Sequence, residues 1–298
     1  MAKYSSQGYE IEIDLYNDYI DQIKGYLRST GYPIGDNEES FDIFIKFINF
    51  RKRRIDPKPR KVFISKELQC HKEHLGAFMK LKEKIERGEN LTPYLSKGIK
   101  RLESYDKLLN DWGIHHLHLG SVWETESEIS RTGPLLFAKV NEDAFYMIDI
   151  KEHGSWVDID LIEIIHNNWP GLLSPFKMSG ITGPNISQET RKLLRQDNAT
   201  TTIEVSDGAV YMPPGGGLTT AGSSLFDTIF HDQYRHALKE CEKAIIDNIT
   251  RLALEAGKQG KLFGKKLHFK LDLTKAELTV VEVKSGASFQ FPDYTVRM

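Results

Sequence analysis

Cysteine is scarce, with only Cys70 and Cys241 in 298 residues. Both fall in segments of helical patterning, far apart in the chain. No disulfide framework is expected, and a reducing, cytoplasmic setting fits. No apolar run is long enough to cross a bilayer and no secretory leader is recognised, so no membrane partner is expected. An excess of one charge sign is also missing: 40 Lys and Arg stand against 42 Asp and Glu. Without a global basic field, nucleic-acid binding would have to rest on local patches. Internal repeats and low-complexity tracts are absent as well. What remains is an ordinary soluble composition, 40% hydrophobic and 28% charged, in a chain long enough for two modest domains.

The unusual stretch is Asp111-Trp-Gly-Ile-His-His-Leu-His-Leu-Gly120. It places three of the chain's ten histidines within four residues, interleaved with apolar side chains in the alternation of a strand. On a strand, His116 and His118 share one face, while His115, Leu117 and Leu119 share the other. Two imidazoles on one face stand roughly 7 Å apart, close enough to act on one substrate or one ion. Imidazole also titrates in the working pH range.

Around this stretch the pattern alternates between helix and strand. Helices are expected at Leu15–Leu27 and Ser40–Arg54, then from an N-capping Ser65 to Gly88, and from Pro93 or Ser96 to Leu109. Strands Leu135–Val140 and Ala144–Ile150, joined by Asn141-Glu-Asp143, read as a hairpin. A polar turn holding His153 and a helix over Asp158–Asn168 follow. Gly171–Pro184 reads as a linker between a domain over 1–170 and a second over 185–298. The second is expected to hold strands Thr200–Val205 and Ala209–Met212 and a long helix, Ser223–Ala256. It would finish in a hairpin, His268–Asp272 with Leu278–Lys284. Pro213–Gly217 lacks the Gly-Lys-Ser/Thr ending of a phosphate loop and reads as a turn. The fold class expected is α+β, with helices leading into a small antiparallel sheet and a second α+β domain behind it.

Arg51, Lys52, Arg53, Arg54, Lys58, Arg60 and Lys61 form a basic cluster able to hold an RNA backbone, or simply to face water at a helix end.

The order of helices, strand, loop with Arg131, and a hairpin ending at His153 resembles the RelE/ParE-type toxins. These lie within the wider barnase-like and colicin-like ribonucleases. The resemblance covers about residues 95–170 and rests mainly on the pattern Leu135–Val140, Asn141–Asp143, Ala144–Ile150 and Lys151–Trp156. It implies metal-free RNA cleavage on the concave face of a small twisted sheet. The matching positions are His116, His118, Arg131 and His153, and an antitoxin or defence-system protein would be a partner. Small toxins lack this chain's long helical start and its final third.

The chemistry also stands without the resemblance. RNA cleavage without metal needs a base for the 2′-hydroxyl proton, an acid for the leaving oxygen and a cation on the phosphorane oxygens. Two imidazoles and Arg131 supply these, and Asp149 or Glu152 would orient a histidine. Two other sites compete. His116, His118 and His153 have the count for catalytic zinc, although no HExxH or CxxC pair accompanies them. In the last hairpin, Asp272, Glu282 and Lys284 resemble the PD-(D/E)XK nuclease core, which works through Mg²⁺. Glu282 also reads simply as a sheet-surface carboxylate facing Lys284. The expectation is therefore a metal-independent ribonuclease of bacterial toxin or phage-defence type. The alternative is a non-enzymatic binding or regulatory module whose histidines hydrogen-bond within the sheet.

Overall fold

The computed structural model describes residues 2–120, 123–125, 128–130, 133–184, 186–275 and 277–294. In chain order, β1 (Ala2–Ser6), β2 (Tyr9–Ile13), α1 (Leu15–Ser29) and α2 (Ser40–Lys52) precede β3 (Lys61–Ile64), α3 (Lys72–Arg87), α4 (Lys107–Trp112) and β4 (His115–His118). Next are β5 (Trp123–Thr125), β6 (Glu128–Ile129), β7 (Pro134–Val140), β8 (Ala144–Glu152), α5 (Asp160–Asn168), β9 (Lys177–Met178), α6 (Gln188–Gln196), β10 (Ile203–Glu204) and β11 (Val210–Tyr211). Then come α7 (Leu225–Asp247), α8 (Ile249–Lys258), β12 (Lys266–Asp272), β13 (Thr279–Glu282) and β14 (Ser288–Gln290). The class is α+β with small sheets. Among the described residues no helix is long and apolar enough to cross a membrane.

The chain divides into two compact units, Met1–Phe47 with Thr228–Met298, and Ile48–Asp227. This differs from the expected division at 170 and 185. Residues 171–184 do not separate domains: Leu173 is fully buried in a core, and β9 pairs with β11. The segment expected to begin a second domain instead completes the first, up to Asp227.

In the unit formed by the two ends, the sheet runs β1-β2-β12-β13-β14, parallel only between β2 and β12. Ile11 and Ile13 of β2 and Leu267, Phe269 and Leu271 of β12 face one side. There they pack on Leu238, Cys241 and Ile245 of α7 and Leu252 of α8. The expected single helix over Ser223–Ala256 is two helices. At Asn248, which divides them, the side-chain amide also donates to the Ala244 carbonyl at 2.8 Å.

In the other unit the sheet runs β3-β8-β7-β4, with β3 parallel to β8 and the remaining pairs antiparallel. Both faces are covered. Phe78, Leu81 and Ile85 of α3 pack with Leu117, Leu136 and Met147 on one side, and Leu161, Ile162 and Ile165 of α5 with Leu135, Phe137 and Ile148 on the other. α3 starts at Lys72, later than expected, and Lys61–Ile64 ahead of it joins the sheet. Ser65 does not cap a helix; its hydroxyl donates to the Ile148 carbonyl at 2.6 Å.

The helix expected to reach Leu109 is also absent. Short 3-10 turns at Thr92–Tyr94 and Lys97–Lys100 precede α4. The carbonyls that would carry a helix are taken by other partners. Arg53 donates to the Gly98 and Arg101 oxygens at 2.7 Å each, Arg54 to Ile99 at 2.9 Å, and the Asn49 amide to Ser104 at 2.9 Å.

Candidate functional site

The histidine strand lies at one edge of its sheet, beside a cleft of about 410 Å³. One wall is the irregular chain from Leu95 to Leu108 held by Arg53, and another is the turn carrying His153 and Trp156. The last turn of α6 provides a third. All these parts belong to the unit Ile48–Asp227.

Asp106 starts the geometry. Its Oδ1 accepts the Leu109 N–H at 3.0 Å and so caps α4, while its Oδ2 stands 3.3 Å from His116 Nδ1. A helix cap thus fixes a carboxylate close to an imidazole. At its other end α4 stops on Gly113 (φ 69°), and the chain turns into β4. Cross-strand pairing puts His116 opposite Phe137 and His118 opposite Leu135 on one face, and Leu117 opposite Leu136 on the other. Trp156 packs against Phe137 at 5.8 Å between ring centroids, against His116 at 4.7 Å and against His153 at 4.9 Å. One indole therefore ties the strand histidine to the turn histidine. His116, His118 and His153 line the same cleft. So does His115, from the opposite face of the pleat, because an edge strand borders the cleft with both faces. Burial lowers the His115 pKa from 6.5 to about 4, which keeps that ring neutral.

Arg131 lies outside the described residues. Of the acids expected to orient a histidine, Asp149 accepts the Ile150 N–H and stands 3.9 Å from Lys151, and Glu152 is exposed. Asp106 is the carboxylate that stands beside His116.

Sequence reasoning also missed Arg195. Its Nε and Nη2 donate to Asp111 Oδ2 at 3.0 and 2.6 Å, and its guanidinium lies 4.1 Å over the Trp112 ring. Thr200 donates to the other Asp111 oxygen at 3.2 Å. The available signal was the four-residue spacing of Arg191 and Arg195 in Gln188–Gln196. Both arginines are buried there while Leu193 is 61% exposed, an inversion of the usual helix faces.

Most of the basic cluster is built into the fold. Arg53 and Arg54 hold the cleft wall, and Arg60 donates to the Asn141 and Asp56 carbonyls at 3.0 and 2.8 Å. Lys52 pairs with Asp227 at 2.6 Å, and burial lowers its pKa against the pull of that carboxylate. Lys58 stands 3.3 Å from Glu142 and Arg51 3.9 Å from Asp56. Arg51 and Lys61 are the exposed members.

Among the described residues no group of three or more His, Cys, Asp or Glu side chains is placed to hold a metal ion, the His116, His118 and His153 set included. In the last hairpin Glu282 pairs with Phe269 and Asp272 with Thr279. Asp272 lies three positions beyond Phe269 along β12, an odd offset, so the two carboxylates leave opposite faces of the sheet. Glu282 is also not a surface group. It is 1% exposed, and its oxygens accept the His268 and Ser285 N–H groups at 3.1 and 2.7 Å. Burial alone would raise its pKa, but these backbone donors outweigh burial and hold it below the usual carboxylate value. Lys284 lies in the turn beyond the strand.

No family model matches the chain, and neither the curated proteins nor the solved structures yield a match.

Proposed function

We propose that the cleft is the active site of a metal-independent ribonuclease, as the resemblance to the RelE/ParE and barnase-like enzymes implies. The observation that carries this reading is the meeting of His116, His118 and His153 in one cleft, with Asp106 behind His116. With Nδ1 turned to the carboxylate, His116 exchanges its proton through Nε2. It takes the 2′-hydroxyl proton as the 2′-oxygen bonds to phosphorus. His153 or His118 protonates the 5′-oxygen as its bond to phosphorus breaks, leaving a cyclic phosphate. Arg131 and Arg195 are the cations offered to the phosphorane oxygens. The same proposal includes a cytoplasmic setting and an antitoxin or defence-system partner.

The test is cleavage of RNA in EDTA. His116→Ala should lower the rate about 10²–10⁴-fold, and Asp106→Asn should lower it less, with both proteins folded. Undiminished cleavage in His116→Ala contradicts the reading. One observation favours a second reading. His115 and His118 are 9% and 7% exposed, as in a sheet whose histidines serve packing. A binding module of that kind would retain RNA without cleaving it.

A further inference from the structure

We propose that the α6 end of the cleft is a phosphate-binding subsite anchored by Arg195. The inference rests on the ribonuclease reading for its ligand class, and on the guanidinium for its place. Arg195 is 4% exposed and lines the cleft. Two of its three nitrogens are committed to Asp111, and its plane is stacked on Trp112. The third nitrogen, Nη1, is buried without a hydrogen-bond partner among the described residues.

Buried guanidinium nitrogens are ordinarily paired, and leaving one unpaired is costly. Its direction is already fixed by the two bonds and the ring beneath, so an oxyanion meeting it forgoes little side-chain freedom. Phosphate suits this donor, because a guanidinium makes short, charge-assisted bonds to its oxygens. Lys192, one turn earlier on α6, is exposed and lines the same cleft. Lys107 also lines it, and donates to the Gln196 carbonyl at 2.7 Å. Against these cations and Arg53, Asp106 is the one carboxylate lining the cleft among the described residues, with Asp111 behind Arg195. The carbonyl end of α6 opposes an anion, and the surplus of cations outweighs it. Nη1 is itself enclosed, so a ligand bonds to it only as neighbouring side chains move.

The experiment is calorimetric titration of the full chain with inorganic phosphate and with adenosine 3′-monophosphate. Wild type should bind both. Arg195→Lys keeps one charge toward Asp111 but loses the fork, and should weaken binding about ten- to a hundredfold. Lys192→Glu, at an exposed helix position where folding is safe, should weaken it at least about tenfold by reversing a charge at the mouth. Thermal melts report whether each variant is folded. Where Arg195→Lys is not folded, Lys192→Glu decides alone. Absence of binding in wild type overturns the subsite, as does unchanged affinity in the folded variants. RNA cleavage is measured alongside. Phosphate binding without any RNA cleavage would sink the ribonuclease reading and leave the subsite standing. His116-dependent cleavage with phosphate affinity untouched by both variants would do the reverse.

Discussion

His115 is a buried imidazole whose folded pKa, about 4, lies below its ordinary 6.5. The unfolded chain therefore binds the extra proton across that window. Stability is full above pH 6.5 and is lost as pH falls toward 4, by at most about 1.4 kcal/mol per pH unit. Urea unfolding at pH 7 and pH 5 should show this loss, and His115→Gln should flatten it. An equal slope in the variant would assign the pH dependence to other groups. Glu282 makes a second case at this scale. Removing a carboxylate that satisfies two backbone N–H groups leaves both buried and unpaired. Glu282→Ala should cost about 1–3 kcal/mol in a urea titration. From sequence alone this residue reads as a surface carboxylate, because Glu-Val-Lys alternates as an exposed edge would. Its burial depends on the turn folding back over it, which no local pattern announces.

Among elements, the Pro213–Gly217 loop does more than turn the chain. Gly215 donates to the Asp111 carbonyl at 2.8 Å, and a Cβ there would meet the Gly113 nitrogen at 2.4 Å and the Leu109 oxygen at 2.5 Å. Both are backbone atoms of the corner that leads from α4 into the histidine strand. Gly215→Ala should therefore force that corner apart and destabilise the protein by about 1–3 kcal/mol, measurable as a lowered melting temperature. An unchanged melting temperature would contradict this close approach. The β7–β8 hairpin was legible within two residues at each outer end, because alternation and a short polar turn are local signals. The β1–β2 hairpin was not. Its two-residue turn sets Gln7 at φ 46° and Gly8 at φ 86°, and Gln rarely marks a left-handed position. The wall from Leu95 to Leu108 reads as helix by pattern, and arginines distant in sequence take its carbonyls instead.

For the molecule as a whole, the two ends of the chain meet in one compact unit. A parallel ladder joins β2 to β12 across more than two hundred residues, with no hairpin turn to mark it. The same holds for β3 beside β8, a second parallel pair of strands distant in sequence. The candidate site was legible where it lies on one strand and one turn, as His116, His118 and His153. Asp106 and Arg195 escaped because their roles depend on a cap and on a helix turned polar side inward.

In the proposed reaction His116 and its neighbours move protons on RNA without a metal. The decisive measurement is cleavage of a labelled RNA by wild type and His116→Ala, in EDTA. Wild type should cleave, and a variant that still melts cooperatively should cleave about 10²–10⁴-fold more slowly. Cleavage that vanishes in EDTA, or that survives intact in His116→Ala, would contradict it.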